Sequence, residues 1–144
     1  DERVINMEKQ NIRAVTAEHL GELVDFISID VAFISLDKVL PVATTLLKNT
    51  GSLVALIKPQ FEAGKEKVGK GGIVRDRLVH EEVLQRILQF AYDCRLYLHG
   101  LTFSPIKGTE GNIEFLGYFT KSEDDALSIT DELITAVVDE AHML

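Results

Sequence analysis

Three ionisable residues stand beside short apolar segments that have the pattern of strands. Asp30 and Lys58 each follow directly on such a segment, and Glu114 lies inside an alternating one. Ligands of open α/β sheets bind outside the carboxyl ends of the strands, so residues at strand ends can share one pocket. An acid, an amine and a second acid that meet there could orient a hydroxyl group and remove its proton.

Each of these residues also has a plainer interpretation. Asp30 could cap a helix or lie in a loop, Lys58 could extend its ammonium into solvent, and Glu114 could stand on an exposed strand face. Burial of such charges without a partner is costly. The functional hypothesis is that the three side chains converge, and that a partly desolvated Lys58 acts as general base toward a hydroxyl.

Composition and length predict one domain with a genuine core, since the chain has 144 residues and 46% of them are hydrophobic. A single cysteine, Cys94, excludes a disulfide framework and a zinc cluster, and we expect it to pack rather than react. His80 and His99 lack partners at metal-ligand spacing, and we expect both to be surface or capping residues. We predict no metal site, no membrane-spanning segment and a cytoplasmic location.

The formal net charge of −8 disfavours general attraction to nucleic acid, but the charge is unevenly distributed. Basic residues concentrate between positions 58 and 77, whereas residues 123–144 form an acidic tail that is predicted to be helical. The asymmetry predicts a local polyanion site. Its candidate residues are Lys65, Lys67, Lys70 and Arg75. The glycine-rich segment 69–72 could cradle an anion or act as a hinge.

The order of apolar segments and turn signals predicts alternating strands and helices. Strands are expected at 4–7, 26–29, 52–57, 96–101 and 113–119, and helices at 16–23 and 36–47, after Asp76 and after Thr130. Pro41 is expected in the first turn of its helix, and the strand at 113–119 is expected to run antiparallel to its neighbour. This order is typical of an α/β layered sheet.

Several motifs together closely resemble the hemolysin A (TlyA) family of FtsJ-like ribosomal RNA methyltransferases. They are Ile29-Asp30-Val31-Ala32-Phe33-Ile34-Ser35-Leu36, Leu56-Ile57-Lys58-Pro59-Gln60-Phe61-Glu62-Ala63-Gly64, the loop from Gly69 to Asp76, Ser104-Pro105-Ile106-Lys107-Gly108, and Gly111-Asn112-Ile113-Glu114-Phe115-Leu116. The resemblance covers about residues 3–119. It implies a Rossmann-like sheet with helices on both faces and S-adenosylmethionine as cofactor.

The resemblance also implies roles for individual residues. Asp30, Lys58 and Glu114 match three members of a Lys-Asp-Lys-Glu tetrad, which in the family forms the site where a ribose 2′-hydroxyl is methylated. In that tetrad Lys58 would activate the hydroxyl. The cofactor candidates are Asn11, Ile12, Asp30 and Phe33. The implied partner is ribosomal RNA or a ribosomal subunit, with no membrane.

Other features depart from the family pattern. The tetrad's first lysine, the glycine-rich cofactor loop, the first strands of the sheet and an S4-type RNA-binding domain have no match in residues 1–144. We therefore expect a single partial methyltransferase domain that is inactive as it stands. Amino-group methylation, a non-catalytic RNA-binding or scaffolding role and a membrane-lytic activity remain the alternatives.

Overall fold

The computed structural model describes residues 1–108 and 111–143. Over these residues four strands form one mixed sheet in the order β1-β2-β4-β3. Strands β1 and β2 are parallel, and β4 runs antiparallel to both of its neighbours, β2 and β3. The strands are β1 (Val24–Ile29), β2 (Leu47–Ile57), β3 (Tyr97–Phe103) and β4 (Phe115–Thr120). The predicted α/β class and the antiparallel last strand are confirmed.

The same described residues contain five α-helices and three short 3₁₀ turns. The α-helices are α1 (Ala17–Leu20), α2 (Leu36–Leu46), α3 (Pro59–Glu62), α4 (Arg77–Asp93) and α5 (Asp131–Ala141), and the 3₁₀ turns are Ile12–Ala14, Lys65–Lys67 and Lys70–Gly72. Asp76 caps α4 by accepting a hydrogen bond from the Leu78 amide, and Thr130 caps α5 likewise through the Leu133 amide. None of the described helices is long and apolar enough to cross a bilayer.

One face of the sheet carries the core. Alternate residues of β2 and β4, among them Leu53, Ile57, Phe115 and Phe119, are fully buried or nearly so, because successive side chains of a strand point to opposite faces. Helices α2 and α5 each contact α4, and all three contribute buried side chains to this core. The opposite face, which the sequence predicts to be covered by helices as well, is more open.

The exposed fractions of its aromatic side chains show most clearly that this face is open. Phe26 on β1 is 55% exposed and Tyr118 on β4 is 40% exposed. Between them, Val54 on β2 is only partly buried. The continuous apolar run of β2 suggests a strand buried on both sides, but run length alone does not report which neighbours cover a strand.

Some predicted boundaries are wrong. Residues 4–7 form no strand, and Val4 and Ile5 are exposed. Helix α1 ends at Leu20 rather than at residue 23 because Gly21 adopts a left-handed conformation at φ 84°. Pro41 lies in the second turn of α2, where the buried apolar side of the helix outweighs the hydrogen bond that proline cannot donate.

His80 corrects a sequence prediction, because it is fully buried rather than a surface or capping residue. Its Nε2 lies 3.0 Å from the Val74 carbonyl oxygen and its Nδ1 lies 2.8 Å from Nε2 of His142. Its ring also meets Phe115 edge-on at 5.6 Å. His80 therefore joins α4 to the preceding loop and to the end of α5. His99 is partly buried, and its Nε2 contacts the Ser122 carbonyl at 2.9 Å.

Cys94 agrees with its prediction. It lies partly buried at the end of α4, where its amide bonds back to the last turn of the helix. Burial raises the pKa of its thiol, which lowers the fraction of reactive thiolate.

We predict that His80 makes the fold less stable in mild acid. Burial lowers the pKa of His80 below 6.5, so between the two pKa values the unfolded chain binds a proton that the folded chain does not. Unfolding free energy should therefore fall as pH drops through about 6.5. Denaturant unfolding at pH 7.5 and 5.5 checks this, and His80→Gln should reduce the pH dependence. His19→Gln is the matched control, since His19 is exposed and glutamine suits its helix-capping position. An equal pH dependence in wild type and His80→Gln would contradict the assignment.

Candidate active site

Lys58 and Asp30 form an ion pair at the rim of the sheet. Lys58 Nζ lies 2.5 Å from Asp30 Oδ1, and the lysine side chain is 15% exposed whereas that of the aspartate is 66% exposed. Each residue directly follows its strand, and β1 and β2 are parallel, so both strands end at the same edge. The pairing neutralises an ammonium that burial would otherwise penalise.

The local sequence explains how Lys58 reaches this position. Pro59 occupies the first position of α3, where its missing N–H costs no helical hydrogen bond. A residue before proline is restricted to extended backbone, and Lys58 has φ −111° and ψ 100°. The strand therefore continues through Lys58 and turns immediately afterwards, which leaves the lysine side chain at the rim.

Glu114 reaches the same rim from the antiparallel strand β4. Ile57 pairs with Phe115, so continuing the register by one residue sets Lys58 opposite Glu114. Residues that are directly opposite in an antiparallel pair point to the same face. Glu114 is 8% exposed, and its Oε2 accepts a hydrogen bond of 2.9 Å from Gln60 Nε2. Within the described part of the chain its carboxylate bonds to Gln60 and forms no ion pair with Lys58.

Gly108 supports the Glu114 carboxylate from the other side. A Cβ atom at this glycine would lie 2.0 Å from Glu114 Oε2, so any other residue would displace the carboxylate. Gln60 Oε1 is buried and accepts no hydrogen bond from the described residues. Because an ionised carboxylate only accepts, Gln60 Nε2 must face Glu114, and Oε1 is the end of the amide that is left without a donor among the described residues.

Two further contacts join the loop after β1 to the loop after β2. The rings of Phe33 and Phe61 lie 4.8 Å apart, although Phe33 is 90% exposed and adopts a left-handed φ of 62°. Glu62 then accepts hydrogen bonds from the Ser35 hydroxyl at 2.6 Å and the Leu36 amide at 2.8 Å. Together with the ion pair, these contacts hold the two loops side by side.

Of the three carboxylates near the rim, Asp30, Glu62 and Glu114, Glu62 has the least exposed side chain. Its side chain is 2% exposed, and burial raises its pKa, while the bonds from Ser35, Leu36 and Arg86 act in the opposite direction. Because it accepts from the first turn of α2, its charge also meets the positive end of that helix. Glu62 is therefore a capping residue that fixes the start of α2 beside the rim.

The cofactor candidates divide into two groups. Ile12 and Asp30 line one groove of about 470 Å³ that runs along β1 and the inner side of α2. Asn11 instead caps the first 3₁₀ turn by accepting from the Arg13 amide, and Phe33 packs on Phe61. Neither Asn11 nor Phe33 lines this groove.

The four residues predicted to bind RNA lie in one exposed loop. Lys65, Lys70 and Arg75 are exposed, whereas Lys67 pairs with Glu82 at 2.5 Å, and this pair raises the pKa of the lysine. Gly71 and Gly72 have φ near 78°, the left-handed conformation that glycine permits.

Asn112 fastens this basic loop to the segment before β4, which also carries Glu114. Its Oδ1 accepts from the Val74 amide at 3.0 Å, and its Nδ2 donates to the Gly72 carbonyl at 3.0 Å. The side chain is 1% exposed. Because the bond to Val74 is buried and the bond to Gly72 is partly buried, water competes little with them, and they hold the loop against the site.

Analysis of the sequence quoted Gln60, Glu62, Gly108 and Asn112 in motifs but gave them no role. Their positions near assigned residues were the available signal: Gln60 and Glu62 follow Lys58 within about a turn, and Gly108 and Asn112 precede Glu114. Gln60, Glu62 and Asn112 bond to residues 24 to 54 positions away in the chain, which no local pattern indicates.

Comparison with known proteins shows what the chain is similar to. The profile of a family described as FtsJ-like methyltransferase matches residues 1–121. A candidate rRNA methyltransferase of Bacillus subtilis, YqxC, is 47% identical over 99% of this chain and 52% of its own length. Hemolysin A of Brachyspira hyodysenteriae is 41% identical over 83% of this chain and 50% of its own length.

A third relative carries a more specific name. The 16S/23S rRNA (cytidine-2′-O)-methyltransferase TlyA of Mycobacterium tuberculosis is 36% identical over 89% of this chain and 48% of its own length. The solved structure of a candidate hemolysin from Streptococcus thermophilus superposes with a TM-score of 0.90 at 44% identity, over 99% of this chain and 52% of that one. The chain thus spans about half the length of the relatives it matches.

We predict that Glu62 stabilises the fold through its contacts with α2. Glu62→Ala should lower the unfolding free energy by roughly 2 kcal/mol, because it leaves the Leu36 amide and the Ser35 hydroxyl without their acceptor. Chemical denaturation monitored by circular dichroism measures this loss. Glu66→Ala is the matched control, since Glu66 is exposed in the same segment and should change stability little. Equal stability of the two variants would rule out the capping role.

Proposed function

This chain belongs to the FtsJ-like methyltransferase family, and we propose that it carries the catalytic centre of an S-adenosylmethionine-dependent rRNA ribose 2′-O-methyltransferase. The TlyA relative whose name specifies cytidine 2′-O-methylation supports this choice of acceptor atom. Ribosomal RNA or a ribosomal subunit is then the substrate, and the cytoplasm is the place of action.

The ion pair of Lys58 with Asp30 is the observation that carries the proposal. Asp30 Oδ1 stands 2.5 Å from the Lys58 ammonium, and the lysine side chain is 15% exposed, so a substrate must approach over the aspartate or over the rim. An amine in such a position can bond a hydroxyl oxygen and, when neutral, take its proton. If the register continues by one residue, Glu114 lies across from Lys58, and we assign its carboxylate as a second acceptor.

The residues along β1 fit the proposed cofactor in their chemistry. The wall of the groove is mostly apolar, with Ile12, Ile29 and Val31, and Asp30 supplies one carboxylate. Such a wall suits a flat base and a cationic group. When bound, the cofactor supplies an electrophilic methyl group, and Ile12 and Asp30 are the residues of this groove that we assign to hold it.

Asp30, Lys58 and Glu114 would then divide the work on the acceptor. Lys58 holds the 2′-hydroxyl oxygen and accepts its proton, Asp30 orients the amine, and Glu114 bonds the amine or a neighbouring ribose hydroxyl. Methyl transfer is a displacement, so alignment of the attacking oxygen supplies much of the rate. Gln60 and Gly108 act through Glu114, because one donates to its carboxylate and the other leaves room for it.

The basic loop offers contacts for the RNA backbone. Lys65 and Lys70 are exposed and, within the described residues, form no ion pair, whereas Lys67 is engaged by Glu82. Asn112 ties the loop to the segment before β4 that carries Glu114, through the Val74 amide. Phosphates held by the loop would therefore be positioned relative to the catalytic residues.

We predict that Lys58→Ala abolishes methyl transfer. In the full-length protein with ribosomal subunits and radiolabelled S-adenosylmethionine, the rate should fall about 10²- to 10⁴-fold, the range of a lost general base. Calorimetric titration should show cofactor binding unchanged. Lys48→Ala is the matched control, because Lys48 pairs with Asp25 near the opposite end of these strands. Turnover by Lys58→Ala at the wild-type rate would remove Lys58 from its assigned role.

We predict unequal effects of the loop lysines on RNA binding. Loss of Lys65 or Lys70 to glutamine should lower the slope of log K against log salt by about 0.7 for each phosphate contact with single-stranded RNA. Lys67→Gln should lower it less, since Glu82 already holds that ammonium. Binding measured between 50 and 200 mM salt tests this, with cofactor affinity as the control. A slope that no variant changes would exclude the loop from the RNA site.

A further inference from the structure

A basic pocket, separate from the groove along β1, lies next to the 104–114 connection and the end of α5. It has a volume of about 430 Å³, and its wall includes Arg75, Lys107, Gly111 and His142. In the described part of the wall, both permanently charged side chains are cationic, although the chain as a whole carries a net charge of −8. The roles proposed above for Asp30, Lys58 and Glu114 do not use this pocket, and of the basic loop's candidate residues Arg75 is the one that lines it.

Two residues of the pocket wall, Val74 and His142, belong to a continuous chain of hydrogen bonds with Asn112 and His80. Asn112 accepts from the Val74 amide at 3.0 Å, the Val74 carbonyl accepts from His80 at 3.0 Å, and His80 contacts His142 at 2.8 Å. The Asn112 and His80 side chains are almost fully buried. These bonds hold three separate segments of the chain in one arrangement, so the pocket is formed in advance of any ligand.

The same bonds determine which nitrogen of His142 is available. A carbonyl only accepts, so His80 Nε2 carries a proton and, in the neutral ring, its Nδ1 accepts. The 2.8 Å contact then requires His142 Nε2 to be the donor. Nδ1 of His142 is left without a proton, and protonation there would add a third cation to Arg75 and Lys107.

The charges around His142 favour an anion. From α4, Arg77 acts on the ring but is paired with Asp139 of α5, and burial lowers the pKa of His80. Burial lowers the pKa of His142, and the charges of Arg77 and of Lys107, on the 104–114 connection, lower it further. Within the described residues, Arg75 and Lys107 form no ion pair, so an incoming anion meets both.

We propose that Arg75, Lys107 and His142 form a binding site for a phosphate group, and that in the RNA substrate this group belongs to a nucleotide that flanks the target ribose. Guanidinium, ammonium and imidazole nitrogens are donors that phosphate oxygens accept. Lys107 directly precedes Gly108, which contacts the Glu114 carboxylate, so the site adjoins the catalytic rim. The flanking-nucleotide assignment rests on the proposed function, whereas phosphate binding does not.

Inorganic phosphate is the first probe, titrated into the full-length protein at pH 7 and followed by histidine ¹⁵N resonances. His142 Nδ1 should move toward its protonated position, because the bound anion favours the charged ring. The double variant Arg75→Gln/Lys107→Gln should bind phosphate at least about tenfold more weakly than the wild type. Arg95→Gln is the matched control, since Arg95 is exposed beyond the far end of α4, about 25 Å away at 1.5 Å per helical residue. Equal titrations of wild type and double variant would mean adventitious binding only and would overturn the site.

A ten-nucleotide single-stranded RNA is the second probe and separates the two sources of phosphate. If both cations contact its backbone, the double variant should lower the slope of log K against log salt by about 1.4, and Arg95→Gln should not. Loss of phosphate binding with an unchanged RNA slope would show that the pocket takes a free anion and would overturn the flanking-nucleotide assignment. Methyl transfer by the Lys58→Ala variant tests the proposed function separately. Whatever its outcome, the phosphate titration decides whether this pocket binds phosphate.

Discussion

The neutralisation of the Lys58 ammonium at the end of a parallel strand is the constraint on which the rim depends. A lysine side chain that is 15% exposed requires a countercharge, and the end of the neighbouring strand supplies Asp30 at 2.5 Å. The loops after β1 and β2 must then lie side by side. The Phe33–Phe61 contact and the bonds of Glu62 to the start of α2 reinforce the same arrangement.

Three carboxylates near this rim have different roles because their environments differ. Asp30 is largely exposed and faces an ammonium, so it remains accessible to a ligand. Glu114 is nearly buried and meets an amide, Gln60, with Gly108 behind it. Glu62 is enclosed by donors and caps a helix, and it holds the backbone rather than a substrate. Residue type alone would have assigned all three the same chemistry.

Positively charged side chains are concentrated in a loop that the structure holds next to the rim. The loop of Lys65 to Arg75 is fastened through Asn112 to the segment before β4, which also carries Glu114. The buried His80–His142 contact extends that connection to α5. In a chain with a net charge of −8, this loop is a local excess of positive charge, where attraction for polyanions is expected.

The sequence by itself determined the α/β class, the strands that end at Asp30 and Lys58, and the caps at Asp76 and Thr130, because these depend on periodicity and on nearest neighbours. Only the tertiary structure decided which face of the sheet the helices cover, that His80 is buried, and that Gln60 rather than Lys58 bonds to Glu114. Local patterns report how a segment alternates but not what lies across from it. The contacts that define the site join residues tens of positions apart, and their geometry exists only after the strands have paired.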